Sequence, residues 1–204
     1  MSSFASPPTA QQFRELSVSE LEQSMLHSLN HWDQQSDLWL FAYGSLIWRP
    51  DFDFIEQRPA TLHGYHRSLC LWSRVNRGTP ETPGVVFALE QGGRCEGVAY
   101  RVAADQVKSI FPPLWQREMP CGSYNPEWIE CEVSHGASVS ALAFVINPNT
   151  EAYVPAMPIN QLRQVIHQAR GINGPCIDYV LQTASALKQA RIADPELEFL
   201  VQHL

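Results

Sequence analysis

The stretch Leu38-Trp39-Leu40-Phe41-Ala42-Tyr43 is almost wholly apolar and stops abruptly on Gly44-Ser45. Its shortness, its aromatic content and the breakers at its ends predict a buried strand. Gly44 can take backbone angles that other residues avoid, and it lets a ligand approach the main chain closely. Ser45 adds a hydroxyl. A turn of this kind can point successive N–H groups into one concavity, which is an anion site. It is also what an ordinary Gly-Ser turn after a strand looks like.

A chain of 204 residues with 45% hydrophobic content supports one compact domain with a real core. The net charge is −7, and no basic run or stripe occurs, which disfavours a nucleic-acid partner. No apolar run approaches the roughly 18 residues of a membrane span. The segment Met-Ser-Ser-Phe-Ala-Ser-Pro-Pro has no basic stretch followed by an apolar one, so no secretion signal is expected. Cys70, Cys95, Cys121, Cys131 and Cys176 are odd in number and scattered, with no Cys-x-x-Cys. Free thiols and a reducing cytoplasm are expected, and a cysteine zinc site is not.

Residues 1–15 are rich in Ser, Pro and Gln and read as irregular. Val18, Leu21, Met25, Leu29 and Trp32 recur at helical spacing, and Ser17 followed by Glu20 resembles a capping box. The chain therefore divides into residues 1–37, an N-terminal extension with one helix packed on the domain, and residues 38–204, the domain itself. Residues 60–72 predict one long bent strand or two short ones, and residues 76–84 are a loop dense in turn formers. Residues 85–89 and 95–102 read as the two arms of a hairpin turning at Gln91-Gly92-Gly93-Arg94. Residues 103–111 look helical, with a packed, proline-broken segment following. Strands are expected over 128–133 and 139–146. Helices are expected near 162–169, 177–187 and 197–204. Six or more strands followed by helices give an α+β fold with a mainly antiparallel, barrel-like mixed sheet and flanking helices.

Serine hydrolysis would need a base beside Ser45. His63 and His66 are available, but no Gly-x-Ser-x-Gly turn is present. The seven histidines are spread out, with no metal-ligating cluster. Glu118 lies among Trp115, Met119 and Pro120. A carboxylate held in such surroundings has a raised pKa and can act as a base near neutrality. A surface glutamate paired with Arg117 fits the same residues.

The run Phe41-Ala42-Tyr43-Gly44-Ser45-Leu46-Ile47-Trp48-Arg49-Pro50 resembles the opening motif of the ChaC-like γ-glutamylcyclotransferases. The likeness continues through Gly64-Tyr65-His66-Arg67, through residues 77–84 and through residues 97–102. It also takes in Arg117-Glu118-Met119 with Gly122 and Tyr124, and ends near Gly171, Gly174 and Asp178-Tyr179. The resemblance implies cleavage of glutathione to 5-oxoproline and cysteinylglycine, with no cofactor and no metal. It implies that Glu118 is the catalytic acid/base. It implies that Tyr43, Gly44, Ser45 and Leu46 bind the γ-glutamyl group, with Arg77, Tyr124 and Tyr179 as further substrate-binding residues. The expected partner is a small molecule, with no membrane, and the protein acts as a monomer or weak homodimer. Asn173, Pro175 and Cys176 occupy a region where the family usually carries a serine and an asparagine around its last glycine. Phe144 stands where relatives often have tyrosine. Other γ-glutamyl amines or dipeptides are the alternative substrates. A non-catalytic module binding a small carboxylate is the alternative of a different class.

Overall fold

The structure is a computed structural model, and it describes residues 14–133 and 137–204. The expectation of an irregular N-terminus falls mostly on residues 1–13, outside the described residues. Arg14 and Glu15 are irregular, as expected.

Helix α1 (Val18–Leu29) opens on Ser17, whose side chain accepts from Glu20 N while Glu20 reaches back to Ser17 N, so the capping box is formed. Leu21, Met25 and Leu29 pack on the core. The helix is tied down by Trp115 Nε1 donating to Ser24 Oγ (3.3 Å) and Trp128 Nε1 donating to Ser28 O (2.8 Å).

The apolar run forms strand β1 (Leu38–Ala42), followed by a one-turn helix α2 (Ser45–Trp48). Strands β2 (Glu56–Ser73) and β3 (Gly84–Val102) are both long and pair with each other antiparallel. Strands β4 (Tyr124–Val133) and β5 (Ala137–Ile146) complete a closed barrel in the order β1-β3-β2-β4-β5. The successive pairs are antiparallel, and parallel β1–β5 pairing at Trp39↔Ala141 and Leu40↔Leu142 closes the ring.

Two expectations fail here. Gln91–Arg94 is not a hairpin turn, because β3 runs straight through it: Gln91 pairs with Tyr65 and Arg94 with His63. Gly64, Gly92 and Gly93 all have positive φ, and the register shifts between His63 and Tyr65. The glycines bend two paired strands together, as a bulge does. The predicted helix at 103–111 starts later, as α3 (Val107–Glu118), and carries Pro112 and Pro113 inside it. Both prolines are exposed, and so are Lys108 and Ser109, whose carbonyls they leave without a helical donor. Those carbonyls can be met by water, so the helix continues.

Helices α4 (Ile159–Gln168), α5 (Cys176–Gln189) and α6 (Pro195–Gln202) follow, with two-residue strands β6 (Arg170–Gly171) and β7 (Gly174–Pro175) between α4 and α5. Strand alternation sorts the side chains into two faces. Phe41, Tyr43, Leu62, Cys95, Ala99, Cys131 and Val145 belong to one buried cluster with no helical residue, which fills the barrel. Leu38, Leu40, Tyr100, Leu142 and Phe144 face the other way and pack with Phe111, Trp115, Val180 and Leu187 of the helices. No helix among the described residues is long and apolar enough to cross a membrane.

Candidate active site

Strand β1 carries Tyr43 and Gly44 out of the sheet between the barrel and α5. Buried Tyr43 donates its hydroxyl to Phe144 O (2.7 Å). Gly44 is the N-cap of α2, where Ile47 N donates to Gly44 O (3.0 Å) and Arg49 N to Ser45 O (2.8 Å). The amides of Gly44, Ser45 and Leu46 have no acceptor among the described residues, as the first amides of any helical turn have none within it.

Facing this turn is the end of α3, whose last residue is Glu118. Its side chain is 14% exposed, and its Oε1 is buried without a hydrogen bond. Arg117 Nε stands 3.1 Å from that oxygen but off the hydrogen-bonding direction. Burial pushes the Glu118 carboxyl above the usual carboxylate range; Arg117 pulls it down, and Asp51 adds a further push upward. Arg117 also links Glu118 to the turn. Its Nη1 donates to Arg49 O (2.6 Å) and Asp51 Oδ2 (3.0 Å), and its Nη2 to Ser45 Oγ (3.0 Å). The two readings of Glu118 thus meet in one geometry: it lies beside Arg117, and it is buried rather than at the surface.

A cavity of about 370 Å³ opens between these elements. Tyr43, Gly44, Ser45, Leu46, Arg77, Glu118, Tyr124 and Tyr179 all line it. Sequence reasoning gave no role to Trp48, Phe87 and Asn173, which line it too. Nothing in a strand pattern marks Phe87 as a wall residue, whereas Arg117 could have been found from its place beside Glu118.

Arg77 is buried, with its guanidinium 5.8 Å from the Trp48 ring and 5.6 Å from the Tyr179 ring. Its side-chain hydrogen bonds among the described residues go to neutral oxygens, Pro175 O (3.3 Å) and Gln182 Oε1 (3.5 Å). Tyr179 OH accepts from Phe87 N (3.0 Å), which leaves its own proton available to a ligand. Burial pushes the hydroxyls of Tyr43, Tyr124 and Tyr179 above their ordinary range, so all three are neutral donors at physiological pH. Phe144 packs its ring on Trp115 and Tyr124 and offers only its carbonyl to Tyr43.

The serine-hydrolase reading has no base here. Among the described residues no histidine lines the cavity, His63 contacts Glu132, and His66 contacts Gly92 O. Among the described residues, no group of three or more His, Cys, Asp or Glu side chains is placed to hold a metal ion.

Comparison with known proteins bears on this arrangement. A family model described as ChaC-like protein matches residues 38–204. The chain is 34% identical over 167 residues to the glutathione-specific gamma-glutamylcyclotransferase of Escherichia coli (strain K12), covering 82% of this chain and 72% of that protein. It is 33% identical over 163 residues to the glutathione-specific gamma-glutamylcyclotransferase 1 of Homo sapiens, covering 78% and 73%. The crystal structure of a gamma-glutamyl cyclotransferase specific to glutathione from yeast superposes with a TM-score of 0.76 over 82% of this chain and 95% of that one. At 21% identity, that last likeness speaks for the fold alone.

Proposed function

The chain belongs to the ChaC-like family, and from that premise we propose that it is a γ-glutamylcyclotransferase that cleaves glutathione, with Glu118 as its acid/base. The single observation that carries the assignment of the base is the buried, hydrogen-bond-free Glu118 oxygen facing the Tyr43–Leu46 turn across the cavity.

The substrate's α-nitrogen and γ-carbonyl carbon close a five-membered ring. Holding the bent conformer supplies the proximity term. An α-amine has a pKa of roughly 8, so it arrives mostly protonated at pH 7. Glu118 takes that proton, and the neutral nitrogen attacks the γ-carbonyl carbon. The bond from that carbon to the cysteine nitrogen breaks as Glu118 returns the proton to the leaving amine. The extra proton on the new ring nitrogen follows through the same carboxylate, so that the amine leaves as an ammonium and the ring keeps one N–H. The products are 5-oxoproline and cysteinylglycine. A carboxyl raised above its usual range suits this two-way transfer. Arg117 stabilises the anionic form of Glu118 before the first proton movement and after the last.

In this reading the free amides of the turn hold the substrate's α-carboxylate or the developing oxyanion. Tyr124 and Tyr179 are neutral donors in the same wall. Arg77, buried on neutral partners, takes the glycine carboxylate at the far end of glutathione. That last contact favours glutathione over γ-glutamyl amines, which have no such group. A pure carboxylate binder gains nothing from Glu118, whose charge repels an anionic ligand. Residues 38–204 form the catalytic domain, with residues 1–37 as an extension packed on it by α1. The five free cysteines suit a reducing compartment, and we place the protein in the cytoplasm.

Incubation with glutathione while following 5-oxoproline release tests the assignment. Release by the wild-type protein and not by Glu118→Gln is expected. A wild-type protein that binds glutathione without releasing 5-oxoproline would make it a binding module.

A further inference from the structure

One buried cation belongs to none of the groups described above. Arg67, on β2, has a side chain only 3% exposed. Its Nε donates to Tyr43 O (2.6 Å), its Nη2 to Glu96 O (2.5 Å), and its Nη1 pairs with Asp194 Oδ2. The other carboxylate oxygen of Asp194, Oδ1, accepts from Leu197 N (2.9 Å) and so caps α6. Arg67 therefore ties the exit of β1 to the start of the C-terminal helix.

The position of the Tyr43 carbonyl matters because a peptide unit is planar and trans. The C=O of Tyr43 and the N–H of Gly44 point in opposite directions from one rigid plane. Fixing the carbonyl on Arg67 fixes the direction of the Gly44 amide, which borders the cavity and has no acceptor among the described residues. A planar guanidinium with several fixed donors can hold the carbonyl, the Glu96 carbonyl and the Asp194 carboxylate at once. A lysine ammonium cannot match that fork.

We propose that Arg67 and Asp194 are positioning residues: they aim the Gly44 amide at the substrate's α-carboxylate, and they couple the cap of α6 to substrate binding. The inference rests on the reading of the site given above, in which this turn holds the γ-glutamyl group. Coupling between sites is reciprocal. Loss of the Arg67–Asp194 pair must weaken substrate binding, and bound substrate must tighten the α6 cap.

The test uses two variants of the full chain. Asp194→Ser keeps a good N-cap residue but is too short to reach Arg67. Arg67→Lys keeps the charge and loses the fork. For each we expect KM for glutathione to rise about tenfold, within the range typical of coupled sites, with kcat and its pH profile kept, since Glu118 is untouched. Thermal unfolding is recorded alongside, and kinetics are taken where each variant is folded. A lowered Tm with wild-type KM would assign the pair to stability alone and overturn the proposal. So would a loss confined to kcat. A second measurement needs neither variant. In Glu118→Gln protein, which cannot turn over, saturating glutathione should slow hydrogen exchange at the Leu197 amide. Unchanged exchange there, with glutathione bound, would also overturn it. A wild-type protein that neither binds nor cleaves glutathione would instead refute the reading of the site, and this inference with it.

Discussion

Glu118 is a residue the fold holds at a cost to itself. Its carboxyl is raised chiefly by burial, so ionising it is harder in the folded chain than in the unfolded one. A raised carboxyl favours folding while it is protonated, and that advantage is lost as pH rises through its folded pKa. Glu118→Gln removes the ionisation and keeps the shape. The variant should therefore gain thermal stability over the wild type at pH 8, and the gain should shrink as the pH falls toward 4. A gain independent of pH would mean that burial of charge is not the cause. The same substitution should lower kcat at least a hundredfold, because acid–base catalysis is worth about 10²–10⁴ in rate. Binding of glutathione, read by calorimetry, should survive. The acid limb of kcat/KM in the wild type should lie above the ordinary glutamate pKa of about 4.3. Arg77 gives an independent check on the substrate. Arg77→Met should raise KM for glutathione far more than KM for a γ-glutamyl amine, and equal effects would remove Arg77 from recognition of the glycine carboxylate.

At the level of elements, the turn after β1 works by close approach. A Cβ on Gly44 would sit 3.2 Å from Tyr179 OH and 3.8 Å from Phe87 Cβ. The obstacle is thus one hydroxyl, itself held by Phe87 N. Overpacking of this kind costs about 1–3 kcal/mol. Gly44→Ala should express that cost as a raised KM in a folded protein, and a wild-type KM in the folded variant would show that the turn is only structural. The strand and its Gly-Ser stop were legible in the sequence because six apolar residues between breakers have few other uses. The capping box at Ser17 and the helix after Pro175 were equally plain, since their signals are local. The reading failed where a local signal had a non-local cause. Gly92-Gly93 usually ends a strand, but here a partner strand bends at Gly64 to match it. Pro112-Pro113 usually breaks a helix, but here the carbonyls they orphan face solvent. The roles proposed for Glu118 and for the turn came from motif likeness, whereas their meeting across one cavity depends on the closure of the barrel, which no short window of sequence contains.

On the scale of the whole molecule, the cysteines report whether these parts stand or fall together. Cys95 and Cys131 lie in the barrel interior, Cys176 in the core between sheet and helices, and Cys70 in a third buried cluster with Leu71, Ala88 and Ile146. All five are free, and only Cys121 is partly exposed, in the wall of the cavity. Burial pushes the thiols of Cys70 and Cys131 up to about 12 and that of Cys95 up to about 11. Because the thiolate is the reactive form, these three are protected twice, by lack of access and by lack of ionisation. A thiol reagent at pH 8 should therefore label one cysteine of the native protein readily, and protection of Cys121 by glutathione should slow that single reaction. In rising denaturant the count should climb to five. The three buried clusters share the same strands: Leu40 and Phe41 are neighbours on opposite faces of β1, and Ala88 and Leu89 likewise on β3. One cluster cannot open without pulling apart the ladder that holds another, so the four buried thiols should become reactive at a single midpoint that coincides with loss of the circular dichroism signal. If Cys176 is labelled at lower denaturant than Cys95 and Cys131, the helical layer is a separate unit that melts off an intact barrel, and activity should disappear with that first step, since the cavity is lined by Tyr179 of α5 as well as by the turn from β1.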